Sequence, residues 1–364
     1  MALAPLPYYT PIFNSLAEKL DLHVLFMSSR APLTDFRDPW GQDPRFEHSF
    51  WWSRSLNLSS LDFRAQFSFG VSPRLQRLNP DVLIAYSWHP IMYEPLVWSS
   101  LTGRRAVMWS ESCDFSGLLR GRLSRAVRTF ALRRCQAFVT SGTKASEYLG
   151  SLGVPESRLV TSCMPAGTWP TDGDTPREPR DGAEGEVRYL FVGRLIPRKR
   201  PLELLRAFAR TRAKLPDATL TIVGEGPLQG EVSREAARLG EHVEVLGHAE
   251  GLELSRIYAR ADILVIPSVR EVWGIVVNEA LLHGLYVVAT DEVASAFDLL
   301  EPNSGMIVAA DDADALVEAM VDASKAGLDE AARSRRAARA GRCSVEAFAA
   351  DIHRAATLAC DAPA

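Results

Sequence analysis

Short apolar runs alternate along the chain with stretches in which apolar side chains recur every three or four positions. After residue 186 the alternation is regular. Apolar runs at 187–193 (VRYLFVG), 218–224 (ATLTIVG), 243–247 (VEVLG), 262–268 (DILVIPS) and 286–290 (YVVAT) predict strands. Between them, 201–215, 228–240, 251–261 and 275–284 carry helical spacing, with Pro201 suited to a helix start and Gly284 to a helix end. Strands that are apolar throughout must be covered on both faces, which predicts parallel sheets with helical crossovers. Before residue 170 the pattern is looser. It predicts strands at 21–28, 81–87, 105–110, 137–142 and 158–163 and helices at 11–20 and 124–134, and it leaves the tryptophan-rich stretch near residue 51 unplaced. Residues 171–186 have no period and are rich in Pro, Gly and charge, as a linker is. The expectation is an α/β chain of two Rossmann-like parallel-sheet domains, 1–170 and 187–341, facing a cleft.

Composition agrees with this picture and narrows it. A chain of 364 residues, 47% hydrophobic and 24% charged, is too long for one ordinary core and suits two. The net charge of −4 is split, with 18 Lys and Arg against 13 Asp and Glu up to residue 170 and 23 against 32 after it. No basic stripe appears, so nucleic acid is not an expected partner. The five cysteines are scattered without a CxxC, and the first residues lack a basic, apolar leader, which reads as a reduced, cytoplasmic chain without disulfides. No apolar run is long enough to span a membrane.

In open parallel sheets, ligands sit at the C-terminal ends of the strands, so the strand-to-helix loops are where chemistry is expected. The first such loop in the second half is GRLIPRK, 193–199. Gly193 allows a tight turn, and Arg194 and Lys199 bring two cations to the mouth of the sheet ahead of a helix N-terminus. That arrangement suits a diphosphate; the alternative is a solvated basic turn. The second is GEGP, where Gly224 and Gly226 permit close approach of a ligand or of another segment, but no dinucleotide fingerprint is present. The third, REVWGIVVNEA, places Glu271 in a loop and Glu279 inside the following helix. Eight residues of helix would separate them by about 12 Å. The N–H groups of Trp273, Gly274 and Ile275 lie between, where a phosphate would fit at a helix N-terminus with a hydroxyl-rich sugar at each end. Two glutamates eight apart also arise by chance, and only the company of the basic loop gives the pair meaning.

The motifs FVGRLIPRK, LTIVGEGP, VEVLGH, ARADILVIPS, REVWGIVVNEALLHGLYVVAT and NSGMIV, in this order over about 187–325, resemble the C-terminal domain of retaining glycosyltransferases of the GT-B fold, family 4. The resemblance implies that Arg194 and Lys199 hold a donor diphosphate, Glu271 the donor sugar, Glu279 the nucleotide ribose, and the loop at Gly247 and His248 the base. It implies no cofactor and no metal, a nucleotide sugar donor (UDP-type favoured over GDP-type), and a terminal helix, 342–364, packing back on the first domain. DGD at 172–174 and DAD at 312–314 imitate a metal motif, but neither follows a strand. In the first half, family members carry a histidine where this chain has Ser110 and Glu111. Glu111 is a candidate for binding acceptor hydroxyls or an amine, with Ser110 and His89 as weaker neighbours; a polar strand end is the plainer account.

The stretch 119–134 holds six arginines and no acid. It suits either a solvated helix face or a contact with the inner face of a membrane. The expected activity is transfer of a sugar from a nucleotide diphosphate sugar to a hydroxyl of a glycan, glycolipid or small natural product. The alternatives are a sugar-nucleotide epimerase or phosphorylase of the same fold, and a non-catalytic sugar-nucleotide-binding protein.

Overall fold

The computed structural model describes residues 6, 8–26, 42–51, 54–58, 63–67, 70–86, 92–113, 122–166 and 186–362. It divides into two compact units. One comprises residues 1–167 with 344–364, the other residues 168–343.

In the first unit, helix α1 (Thr10–Ala17) is followed by β1 (His23–Phe26), β2 (Glu47–Phe50), and the antiparallel pair β3 (Arg54–Leu58) and β4 (Phe63–Phe67). Then come α2 (Ser72–Leu78), β5 (Val82–Tyr86), α3 (Tyr93–Thr102), β6 (Arg105–Ser110), α4 (Arg122–Arg134), β7 (Ala137–Ser141), α5 (Thr143–Ser151) and β8 (Leu159–Ser162). Strands β5 to β8 form a parallel sheet in sequence order, and β1 pairs parallel with β2. Leu83, Ala85, Leu96, Met108, Phe138 and Leu149 fill its core. The unplaced tryptophan-rich region contains β2 to β4, whose mixed polar and apolar letters gave no usable period.

The second unit runs β9 (Arg188–Val192), α6 (Pro201–Arg212), β10 (Thr219–Val223), α7 (Gln229–Arg238), β11 (Val243–Leu246), α8 (Gly251–Arg260), β12 (Ile263–Ile266) and α9 (Ile275–Leu282). It continues with β13 (Tyr286–Thr290), α10 (Ala294–Leu299), β14 (Gly305–Val308), α11 (Ala313–Ala323) and α12 (Glu330–Ala340). The described strands make a parallel sheet in the order β11-β10-β9-β12-β13-β14. Every residue of β12 and β13 is buried, as their apolar sequences require. Tyr189, Phe191, Phe208, Ile222, Val265 and Met320 are among the residues that join helices to sheet on one face. Asp312 caps α11, its Oδ1 accepting the N–H groups of Asp314 and Ala315 at 3.0 and 2.8 Å. The DAD motif is therefore a helix start, and DGD lies outside the described residues.

The last helix, α13 (Val345–Asp361), belongs to the first unit and packs on α1, β6, β7 and β8. Phe348 on it is fully buried, with its ring 5.0 Å from that of Trp109. The predicted linker, apart from its last residue, lies outside the described residues. The cysteine reading is corrected: Cys113, Cys135 and Cys360 are in no disulfide, whereas Cys163 and Cys343 are disulfide-bonded. Spacing along a chain does not show which thiols fold within bonding reach. Among the described residues no helix is long and apolar enough to cross a membrane, and no cluster of His, Cys, Asp or Glu suits a metal ion.

Candidate functional site

The strand order of the second sheet reverses between β9 and β12. The chain leaves β9 for β10 on one side and later returns to lay β12 on the other. A parallel sheet has its crevice at that reversal, outside the C-terminal ends of the two strands. The loops there are 193–199 and 267–274, which carry Arg194, Lys199 and Glu271.

Those loops are joined by charge. The Glu271 carboxylate is buried, and its Oε2 accepts from Lys199 Nζ and, at 3.4 Å, from an Arg198 guanidinium nitrogen. The Arg198 carbonyl accepts the N–H of Val269 at 2.8 Å, tying the backbones as well. Arg200 and Arg270, which flank Lys199 and Glu271, both adopt left-handed backbone conformations, at φ 53° and 54°. That region costs a non-glycine residue about 1 kcal/mol or more. Their partners offset the cost: Arg200 donates to the Ala310 carbonyl, and the N–H of Arg270 bonds Glu292 Oε2 at 2.9 Å. Glu292 also accepts the N–H of Glu271 through its backbone oxygen at 2.9 Å, so it fixes two successive residues of the loop. Arg194 is exposed and has no side-chain partner among the described residues. Arg194, Arg198 and Lys199 against Glu271 leave the crevice with a surplus of two positive charges.

Gly274 ends the loop and caps α9 at φ 91°. A Cβ there would stand 3.1 Å from Val293 and 3.2 Å from the Glu271 side chain, so geometry and space both call for glycine. The N–H groups of Trp273, Gly274 and Ile275 have no acceptor among the described residues. Trp273 is buried behind them, its indole N–H bonded to Asn278 Oδ1 at 2.9 Å. Glu279 is buried one turn into α9 and accepts from the Tyr258 phenol at 2.7 Å.

The GEGP glycines are required by the neighbouring backbone. A Cβ on Gly224 would lie 2.0 Å from the carbonyl oxygen of Gly193, and one on Gly226 would lie 2.5 Å from that of Leu195. The two loops are laid backbone on backbone. Gly193 N–H bonds Val223 O at 3.0 Å, Leu195 N–H bonds Glu225 O at 2.8 Å, and Leu228 N–H bonds Leu195 O at 3.0 Å. The Glu225 side chain extends the seam, accepting the N–H of His248 at 3.2 Å beside exposed Gly247.

In the first unit, Glu111 follows β6 and is half-buried. Tyr9 donates to its Oε1 at 3.2 Å and shares a 2.5 Å hydrogen bond with Tyr86. Glu111 has no ion pair among the described residues. Burial pushes its carboxyl up to about 7, although its bonds to Tyr86 and Tyr9 favour the ionised form. Burial and the nearby Glu111 carboxyl hold the Tyr9 and Tyr86 phenols protonated. Ser110 is fully buried, its Oγ accepting the N–H of Ser112 at 3.4 Å. His89 lies outside the described residues. In the arginine-rich stretch, Arg128 donates to the Tyr148 hydroxyl at 2.5 Å.

The structure thus brings Arg194, Lys199, Glu271 and the loop at 273–275 to one crevice. It adds residues the sequence did not single out: Glu292, Glu225, Tyr258, Tyr9 and Tyr86. The aromatic Tyr8–Tyr9 pair before a helix was visible as letters, but its carboxylate partner is about a hundred positions away.

Residues 174–341 match the Glycosyl transferases group 1 family. The glycogen synthase of Mycobacterium tuberculosis is 28% identical over 279 residues, covering 72% of this chain and 64% of that protein. A GDP-mannose-dependent monoacylated alpha-(1-6)-phosphatidylinositol monomannoside mannosyltransferase of Corynebacterium glutamicum is 33% identical over 48% of each chain. The chain therefore spans less than two thirds of these curated relatives. Among solved structures, Anabaena HepE in complex with UDP superposes with a TM-score of 0.72 at 17% identity, covering 97% of this chain and 98% of that one. The second unit is thus similar to the glycosyl transferases group 1 family, in a chain whose two parallel-sheet units have the GT-B fold.

Proposed function

We propose that this chain is a glycosyltransferase that moves a sugar from a nucleotide diphosphate sugar to an acceptor hydroxyl, with retention at the anomeric carbon and without a divalent metal. The observation that carries the reading is the crevice at the reversal of the second sheet, where surplus positive charge meets three backbone N–H groups without acceptors. This is the chemistry of a diphosphate site. The group 1 match over the same unit and the UDP held by Anabaena HepE, a protein of the same fold, support a nucleotide donor. The GDP-mannose dependence of the Corynebacterium relative keeps both bases in play.

In the reaction, the bond between the anomeric carbon and the diphosphate oxygen breaks and its electron pair stays on the leaving group. The acceptor oxygen forms its bond to the same face of that carbon, and its proton passes to the departing phosphate oxygen. Arg194, Lys199 and the N–H groups of 273–275 stabilise the growing negative charge, which is electrostatic catalysis. These cations supply the charge that a divalent ion supplies elsewhere. Glu271 then orders the sugar hydroxyls, Glu279 the ribose, and Gly247 and His248 the base. The carboxyl of Glu111 receives acceptor hydroxyls.

The first experiment is a thermal-shift screen against UDP, GDP, ADP and TDP. A nucleotide at a hundred times its dissociation constant should add about 2.7 kcal/mol of stability. Lys199→Ala should then reduce kcat/KM by roughly a hundredfold to a thousandfold with the fold unchanged. No shift from any of the four nucleotides, or wild-type rates in the variant, would reject the site.

A further inference from the structure

Three side chains, Ser255, Tyr258 and His283, form a chain of contacts that ends on Glu279. Ser255 and Tyr258 stand three residues apart on α8, and Glu279 and His283 stand four apart on α9 and its end, so each pair shares one helix face. The Tyr258 phenol donates to Glu279 Oε2 at 2.7 Å. The Tyr258 and His283 rings stack, with centroids 5.1 Å apart and planes at 20°. His283 Nδ1 lies 2.8 Å from the Glu279 carbonyl oxygen, and its Nε2 lies 2.9 Å from Ser255 Oγ. A carbonyl only accepts, so Nδ1 carries the proton and Nε2 accepts from the serine. Ser255 and Tyr258 are each 1% exposed, and His283 is half-buried.

The circuit is closed. Serine fixes the imidazole, the imidazole fixes the phenol ring by stacking, and the phenol fixes the carboxylate. Burial holds His283 below its usual range and so neutral, and burial with the facing carboxylate keeps Tyr258 protonated as a donor. None of the three supporting side chains needs to meet a ligand for this to work. A long glutamate side chain has three rotatable bonds, and holding one carboxylate oxygen removes most of that freedom before a ligand arrives.

We propose that Tyr258, backed by His283 and Ser255, is a positioning residue that presets the Glu279 carboxylate for the hydroxyls of a nucleotide ribose. The proposal rests on the reading that Glu279 meets the ribose. It adds that recognition of the ribose depends on a phenol that does not itself touch the nucleotide.

The test measures binding of UDP and of GDP by calorimetry, then of the 2′,3′-dideoxy counterpart of whichever binds, to the full chain and its variants. In the wild type the ribonucleotide should bind at least tenfold more tightly than the dideoxy form. Glu279→Ala should abolish that preference. Tyr258→Phe should shrink it several-fold while leaving the affinity for the dideoxy form unchanged, which a merely structural phenol would not do. Should Tyr258→Phe fold poorly, Ser255→Ala releases the imidazole instead and should shrink the preference in the same direction. If Glu279→Ala removes the preference and Tyr258→Phe keeps it whole, the positioning role is overturned and the ribose reading stands. If neither variant changes it, the ribose reading falls and the proposal falls with it.

Discussion

Glu271 and Glu111 are both carboxylates in loops that follow parallel strands, one in each unit, and their surroundings are opposite. Glu271 is buried with two cations on one oxygen. Glu111 is half-buried with two tyrosine phenols and no cation partner among the described residues. The first is matched by opposite charge. The second has only neutral donors to offset the cost of taking its charge out of water. The lesson is that position in the fold assigns a carboxylate to a site, and its neighbours decide whether it serves as a fixed charge or as a group that changes state near neutrality.

The sharpest way to break this contrast is to remove the fixed charge. Glu271→Gln strands two cations in the crevice and should cost about 3 kcal/mol, the low end for breaking a buried pair because the Arg198 side chain is 42% exposed. Urea unfolding of the wild type and the variant measures it, and a loss under about 1 kcal/mol would mean that the pair is not a structural charge.

The next effect concerns pH. The folded chain holds the Glu111 proton up to about pH 7, whereas the unfolded chain releases it near 4.5. Stability from this group is therefore complete below about 4.5 and is lost as pH rises through about 7. The swing should be about 2 kcal/mol once its partial exposure is allowed for. Glu111→Gln should flatten that part of a melting-temperature profile. An unchanged slope would show that the proton is held elsewhere.

The smallest effect sharpens the same point. Tyr9→Phe deletes a donor that favours ionised Glu111, worth about 1 kcal/mol, so the midpoint should move upward by less than about one pH unit. The same profile reads it, and a downward move would contradict the assigned role of the phenol.

Much of the second unit was legible because its strands are apolar on both faces. YVVAT at 286–290 is a strand to the residue, and DILVIPS yields β12 four residues long within it. The loop chemistry was legible for the same reason: once strands are placed, the residues after them are placed. What stayed hidden depends on distance along the chain. Lys199 and Glu271 are 72 positions apart, and only the reversal of strand order joins them. The glycines of GEGP were readable as tight places, but not as packed against the 193–195 backbone. Tyr9 and Glu111 are 102 positions apart, in a unit whose early strands have no clean period. The disulfide-bonded state of Cys163 and Cys343 was unreadable because bonding reach is a property of the fold.

The backbone seam between Gly224 and Gly193 has one more consequence. On its inner side the 193–195 segment is in contact with a neighbouring chain segment and has no slack, while on its outer side the Arg194 side chain points to solvent. The segment thus behaves like a socket with an exchangeable tip. Its length and its glycines are locked together and can change only as a pair, whereas a change at the tip leaves the packed backbone intact. Affinity for a ligand in the crevice can therefore be altered through one exposed side chain without the fold being disturbed.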